Sequence, residues 1–268
     1  MPDPSIFTSI IDSYLPEPDA SLLNGIIFGV DIKSSGVFLE QLKRVGLLHL
    51  VVLSGMNITI FGAIISSLFD RFGKKISSLI TILTIVFFII FVGPKAPIVR
   101  AGIMGILTLV AVIYGRLTIA VYTLIISAFI MLIFKPYWLT TVSFQLSFGA
   151  TLGIILFGRQ YYSKPKTLAD KIKYFVKNEL KASLSAQIFT VPIIFLYFRE
   201  ISVIAPISNL LVAPLVGPVM VFGLLTAILG RIHYWFGLVP AVIVYAMLHY
   251  IVLLVDFISS LPFVFFSF

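Results

Sequence analysis

His49-Leu-Val-Val-Leu-Ser54-Gly55-Met-Asn57-Ile-Thr59 lies inside an uncharged run from Val45 to Phe69. About 20 apolar residues carry a helix across a bilayer, so this run is long enough to span one. Ser54, Gly55 and Asn57 stand in its middle, where hydrocarbon penalises unpaired polar groups. Glycine also opens backbone angles that a helix excludes. Unwound backbone survives at membrane depth only inside protein or beside a water-filled cavity. The stretch therefore predicts a broken transmembrane helix that lines something polar.

The rest of the chain fits that reading. Of 268 residues, 60% are hydrophobic and 11% are charged, with a mean hydropathy of +1.12. A soluble domain carries about 25% charged residues, so this is an integral membrane protein. There are no cysteines, which excludes disulfides and thiolate metal sites. The first 31 residues hold Asp3, Asp12, Glu17, Asp19 and Asp31 but no Lys or Arg, so the basic region of a cleavable signal is missing. Insertion is expected to rely on the spans themselves.

Residues 1–20, with Pro2, Pro4, Pro16 and Pro18, read as a loose or interfacial N-terminal segment. Residues 21–30 are apolar but too short to span. Residues 36–48 read as an amphipathic helix, with Val37, Phe38, Gln41, Leu42 and Val45 on its apolar side. Spans are expected at 49–69, 76–94, 97–115, 117–134, 138–158, 182–198, 201–230 and 232–255. The seventh holds Pro206, Pro214 and Pro218 and reads as either a kinked helix or two half-helices. Residues 257–268 form an apolar tail that lies at the interface or extends the last span. The fold class is thus an all-α polytopic membrane bundle of about eight transmembrane helices, with broken helices and an amphipathic N-terminal helix. Arg71, Lys74, Lys75, Arg116, Arg231 and the lysine-rich segment 159–181 concentrate in odd-numbered loops. That asymmetry predicts cytoplasmic odd loops and both termini outside. The 159–181 segment itself reads as inside positivity in contact with anionic lipid.

Polar residues recur within the spans. His49, Ser54 and Asn57 either face a polar pathway, or Ser54 and Asn57 are ordinary helix-packing devices and His49 a hydrated side chain at the interface. Arg100 lies about one turn inside the third span, where it either snorkels to headgroups or faces an anionic substrate. Ser143, Ser147 and Thr151 share a helix face, beside the close-packing pair Gly149 and Gly153. On periodicity alone that row reads as glue between helices. Gln145 stands on the other side of that helix. Ser183, Gln187 and Thr190 make a further polar face, and Asn209, between Pro206 and Pro214, needs a partner if buried. One such span is ordinary. Four of them converge on a polar interior or cleft.

Other chemistry is not supported. No Walker motif is present, so no nucleotide-driven motor is expected within this chain. His49, His233 and His249 stand on separate parts of the chain, without HExxH or HxxEH. No catalytic residue, metal site or cofactor is expected, and the chain is read as a non-enzyme.

Leu22-Leu-Asn-Gly-Ile-Ile-Phe-Gly29 is followed by Arg44-Val-Gly-Leu-Leu-His49-Leu-Val-Val-Leu-Ser54-Gly55-Met-Asn57-Ile58 and by Pro97-Ile-Val-Arg100-Ala-Gly-Ile-Met104. Phe144-Gln145-Leu-Ser-Phe148-Gly-Ala-Thr151-Leu-Gly153 and Ser208-Asn209-Leu-Leu-Val-Ala-Pro214 complete the series. In this order, over about residues 20–255, the motifs resemble the membrane core of the ComEC-type competence proteins. That assigns residues 21–268 to the competence membrane domain. The resemblance implies a channel that passes single-stranded DNA through the cytoplasmic membrane during natural transformation. It further implies a DNA receptor outside and a helicase or motor inside. Larger members add an OB-like domain and a metallo-β-lactamase-like nuclease domain. No HxHxDH motif occurs here, so strand degradation would need a separate nuclease. Asn57 stands where the family usually has histidine, which keeps a hydrogen-bonding role and drops a titrating one.

The expected DNA path or helix break is therefore His49, Ser54, Gly55, Asn57, Arg100, Gln145, Gln187 and Asn209. A secondary transporter or scramblase for a small anionic solute or lipid is the rival reading, since broken midplane helices suit that class too.

Overall fold

The computed structural model describes residues 4–30, 36–51, 54–158, 167–262 and 264–267. The chain is an all-α polytopic bundle. Helices α1 (Ser5–Tyr14), α2 (Asp19–Phe28), α3 (Gly36–Arg44) and α4 (Leu48–Val51) lead into α5 (Gly55–Phe69), α6 (Lys74–Val92), α7 (Ala96–Ile113) and α8 (Ala120–Phe134). Then come α9 (Val142–Phe157), α10 (Leu168–Phe198), α11 (Ala205–Ile232) and α12 (Tyr234–Ser259). Five of these, α6, α7, α10, α11 and α12, are long and apolar enough to cross a membrane, while α2, α8 and α9 are shorter apolar helices.

The expected spans map onto these elements with four differences. The first is interrupted: α4 is described to Val51, and Ser54 takes extended angles (φ −99°, ψ 165°) before α5 begins. The sixth is not separate from the lysine-rich segment. A capping box, with the Thr167 side chain on the Asp170 amide and the Asp170 side chain on the Thr167 amide, starts one helix that runs through to Phe198. Residues 159–166 of that segment, with Arg159, Lys164 and Lys166, lie outside the described residues. The seventh is one continuous helix, α11, despite Pro214 and Pro218. The chain after α12 returns as a short strand, β2 (Phe265–Ser267), antiparallel to β1 (Glu200–Ser202).

The N-terminal segment also differs from its loose or interfacial reading. Helix α1 folds back on α2 and packs on α11, with Ile11 and Leu15 buried. Asn24 Nδ2 donates to Asp12 Oδ1 at 2.7 Å across this pair. Helix α2 is buried along its whole length. An apolar run of 10–14 residues is the length of a buried core helix, and a helix apolar all round has no face to give to water. Its snug seat comes from a small residue: a Cβ at Gly223 of α11 would stand 2.6 Å from Ile27 and 2.7 Å from Leu23. Its last turn is held by polar groups from two directions. Asn57 Nδ2 donates to the Ile26 carbonyl at 2.8 Å, and Lys95 Nζ to the Gly29 carbonyl at 2.9 Å.

Helix α3 is amphipathic as expected, with Phe38 and Leu42 buried, but Val37 is exposed. The chain turns at Gly46 (φ +75°), where any Cβ would run into that of Ala205. Ser202 Oγ donates to the Arg44 carbonyl at 2.7 Å, and Lys43 pairs with Glu200 at 3.7 Å, so α3 is tied to the ribbon.

Helices α5, α6 and α7 pack in sequence, and α9–α10 and α11–α12 form hairpins. Lipid tails are as apolar as leucine, so helix association rests on close packing rather than on hydrophobic transfer. Gly153 shows this best: a Cβ there would collide with the Ser185 backbone carbonyl of α10. Gly153→Ala is expected to push α9 from α10 at about 1–3 kcal/mol, lowering thermal unfolding in detergent by about 3–10 °C. Gly217→Ala, which meets nothing within 4 Å, should leave it unchanged. Asn57→Ala removes one of the two polar ties on the last turn of α2, a loss of about 1–3 kcal/mol. Hydrogen exchange of the 19–28 amides should then rise about tenfold or more. Unchanged protection would mean that the tie holds nothing.

Candidate functional site

The interrupted first span meets the third and fifth spans at Arg100. Arg100 is nine-tenths buried in the second turn of α7. Its Nη1 donates to the backbone carbonyl of Ser147 on α9, which also accepts from the Thr151 hydroxyl at 3.0 Å. From α5, Gly55 leaves no room beside it: a Cβ at Gly55 would collide with the Arg100 guanidinium and stand 3.1 Å from Ala101. Any larger residue here would have to displace the guanidinium from its place. The Phe148 ring centroid lies 6.0 Å from the guanidinium carbon.

Two polar atoms at this junction have no partner: Arg100 Nε and Ser147 Oγ. Among the described residues no carboxylate pairs with Arg100. A buried guanidinium with only carbonyl and ring contacts is an incompletely compensated charge. The start of α5 adds to the positive field. Helix N-termini carry free amides and the positive end of the macrodipole, and no side chain caps this one.

Ser54 and Asn57 secure the break. Ser54 Oγ donates to Asn57 Oδ1 at 3.2 Å, and the Asn57 amide donates to the Ser54 carbonyl at 3.1 Å. Asn57 is fully buried and spends its Nδ2 on Ile26 of α2. Both of its side-chain atoms are therefore engaged in holding structure.

The remaining expected residues stand apart. His49 is exposed, its Nδ1 3.0 Å from the Gly46 carbonyl, so it closes the turn before α4. Gln145 Nε2 donates to the Leu139 carbonyl at 3.1 Å, within its own approach to α9. Gln187 is half-buried on α10. Asn209 of α11 donates to Ser183 Oγ of α10 at 3.1 Å, while its buried Oδ1 has no partner. The structure thus joins Ser54, Gly55, Asn57 and Arg100, and leaves His49, Gln145, Gln187 and Asn209 outside that junction.

Sequence reasoning missed three participants: the Ser147 carbonyl, the whole of α2, and Lys95. Main-chain acceptors have no sequence signal. The all-round apolar character of residues 22–28 was the available signal for α2. Two cavities, of about 400 and 640 Å³, lie elsewhere, between α3 and the end of α12, and share Glu40, Arg44 and Ser259. None of the eight expected residues lines either one. No group of His, Cys, Asp and Glu suited to a metal occurs among the described residues.

The chain is similar to ComE operon protein 3 of Bacillus subtilis (strain 168), 25% identical over 242 residues, covering 86% of this chain and 30% of that protein. It is also similar to an uncharacterized protein of Aquifex aeolicus (strain VF5), 29% identical over 185 residues, covering 68% of this chain and 41% of that one. It therefore spans well under half the length of either relative. No solved structure matches it. The family model described as Competence protein matches residues 26–268, nine-tenths of the sequence, and the chain belongs to that family.

Proposed function

We propose that this chain is a membrane channel, or the minimal core of one, through which single-stranded DNA crosses the cytoplasmic membrane in natural transformation. One observation carries the proposal: Arg100 is buried where three helices meet, and no carboxylate among the described residues neutralises it. A phosphodiester is the counter-charge that a strand in transit would bring. Guanidinium is the side chain best matched to phosphate, and the unpartnered Nε and Ser147 Oγ are further donors. Phe148 offers a ring on which a base can stack. The uncapped start of α5 favours the same charge. Competence-family membership supports DNA as the cargo.

In this reading the odd-numbered loops face the cytoplasm and both termini face outward. A receptor outside delivers the strand, a helicase or motor inside pulls it, and a separate nuclease degrades the complement. The chain contributes passage without chemistry or cofactor. The same buried cation would also serve a transporter or scramblase for a small anionic solute or lipid, which keeps that reading as the rival.

In a transformable host, Gly55→Leu and Arg100→Ala are each expected to cut transformation at least tenfold at normal protein levels. Arg100→Lys should fall between, since it keeps the charge and loses the planar fork. Normal uptake in all three would contradict the assignment. Purified protein should bind single-stranded oligonucleotide with affinity that falls as salt rises. Saturable flux of a small anion without oligonucleotide binding would favour the rival.

A further inference from the structure

We propose that Asp19 is a pH-dependent latch for α2, and that through Asn57 its charge state sets how firmly the broken first span is held beside Arg100. Asp19 opens α2 and is only 2% exposed. Its Oδ2 lies 3.8 Å from His249 Nδ1 of α12, beyond hydrogen-bond reach, and its Oδ1 has no partner. An ionised carboxylate here is poorly compensated, and burial favours the neutral acid.

The elements packed on α2 are α1, α4, α11 and α12. From α1 comes Asp12, whose Oδ1 accepts from Asn24. From α4 comes His49, whose Nδ1 is against the Gly46 carbonyl. Helix α11 has no ionisable side chain but Arg231, in its last turn. Glu17, just before α2, accepts from Ser21 Oγ at 2.8 Å, and its like charge further disfavours an ionised Asp19. Only His249 of α12 favours it. That ring stacks on Tyr245 with centroids 5.4 Å apart, and its side chain is 46% exposed, so protons reach the pair from that side. Rising pH takes the proton from Asp19 and the offsetting charge from His249. An acid that folding prefers to keep protonated contributes stability at low pH and loses it as pH rises. The seat of α2 is therefore firm in mild acid and loosens above neutrality.

A rigid element carries this change to the broken span. Asp19 and Ile26 stand at opposite ends of α2, about 10 Å apart. The Ile26 carbonyl accepts from Asn57 Nδ2, and Asn57 Oδ1 accepts from Ser54 Oγ. Gly55, the next residue, abuts the Arg100 guanidinium. Seated and lifted α2 are the two states, and Asn57 is the one side chain that ties them to the start of α5. The latch concerns the geometry of the junction and holds whatever anion passes it.

Hydrogen exchange of the full chain in nanodiscs tests this, read at about pH 5.5 and about pH 8 and expressed against the intrinsic amide rate at each pH. Protection of the 19–28 amides should fall about tenfold at the higher pH, the equivalent of one pKa unit, and that of the 59–62 amides should fall with it. Helix α8, which carries no acid or histidine, should not change. Asp19→Asn keeps the shape without the charge and should hold protection constant between the two pH values. Asn57→Ala should keep the response of 19–28 and lose that of 59–62. Equal native protection at both pH values, a response that persists in Asp19→Asn, or an equal fall in α8 would overturn the latch. A response of 59–62 that persists in Asn57→Ala would overturn its route to the junction.

Discussion

A guanidinium enclosed by helices must find hydrogen-bond acceptors and a counter-charge, or the bundle holds a costly charge in a medium that cannot solvate it. Arg100 finds the first in the Ser147 carbonyl and lacks the second among the described residues. Its position fixes much else. Gly55 leaves the guanidinium its present place against the start of α5, and α9 comes close enough to present a backbone carbonyl. The break before α5 is what lets a helix N-terminus arrive at that depth. The junction of first, third and fifth spans therefore follows from one charge and the space it occupies.

The same demand for partners explains the seat of α2. A helix with no exposed face must have both ends satisfied by its neighbours. Asn57 and Lys95 do this at one end. At the other, Asp19 is buried 3.8 Å from His249 of α12, with one carboxylate oxygen unpartnered. Between them, packing against Gly223 holds the middle. Asn57 is the link between the two regions, since it fixes the broken span and the buried helix at once.

Much of this was legible in the sequence, for physical reasons that can be named. Continuous hydrophobicity marks long helices without ambiguity, so α6, α7, α11 and α12 fell where expected. Ser-Gly within an apolar run marked the interruption, because each residue is individually disfavoured there. What escaped depended on the third dimension. The start of α10 looked like a loop because its lysines outweighed the Thr167–Asp170 cap that begins the helix. The prolines of α11 left a kinked helix and two half-helices equally open, and the structure has one helix from Ala205 to Ile232. Of the expected site, Gly55 and Arg100 were found as separate oddities, and nothing in their spacing showed that they touch. Gln145 and Asn209 carried the same polar signal and proved to meet other partners, the nearby Leu139 carbonyl and the Ser183 hydroxyl of α10, which periodicity alone cannot distinguish.

The central claim is that a DNA strand passes the Arg100 junction, and a crosslink made during uptake tests it most directly. A photoreactive residue in place of Phe148, beside the guanidinium, should form an adduct with incoming single-stranded DNA in transforming cells. One in place of Phe129, which faces outward, should not. Adducts at position 129 but not at 148, or at neither while uptake proceeds, would contradict the account.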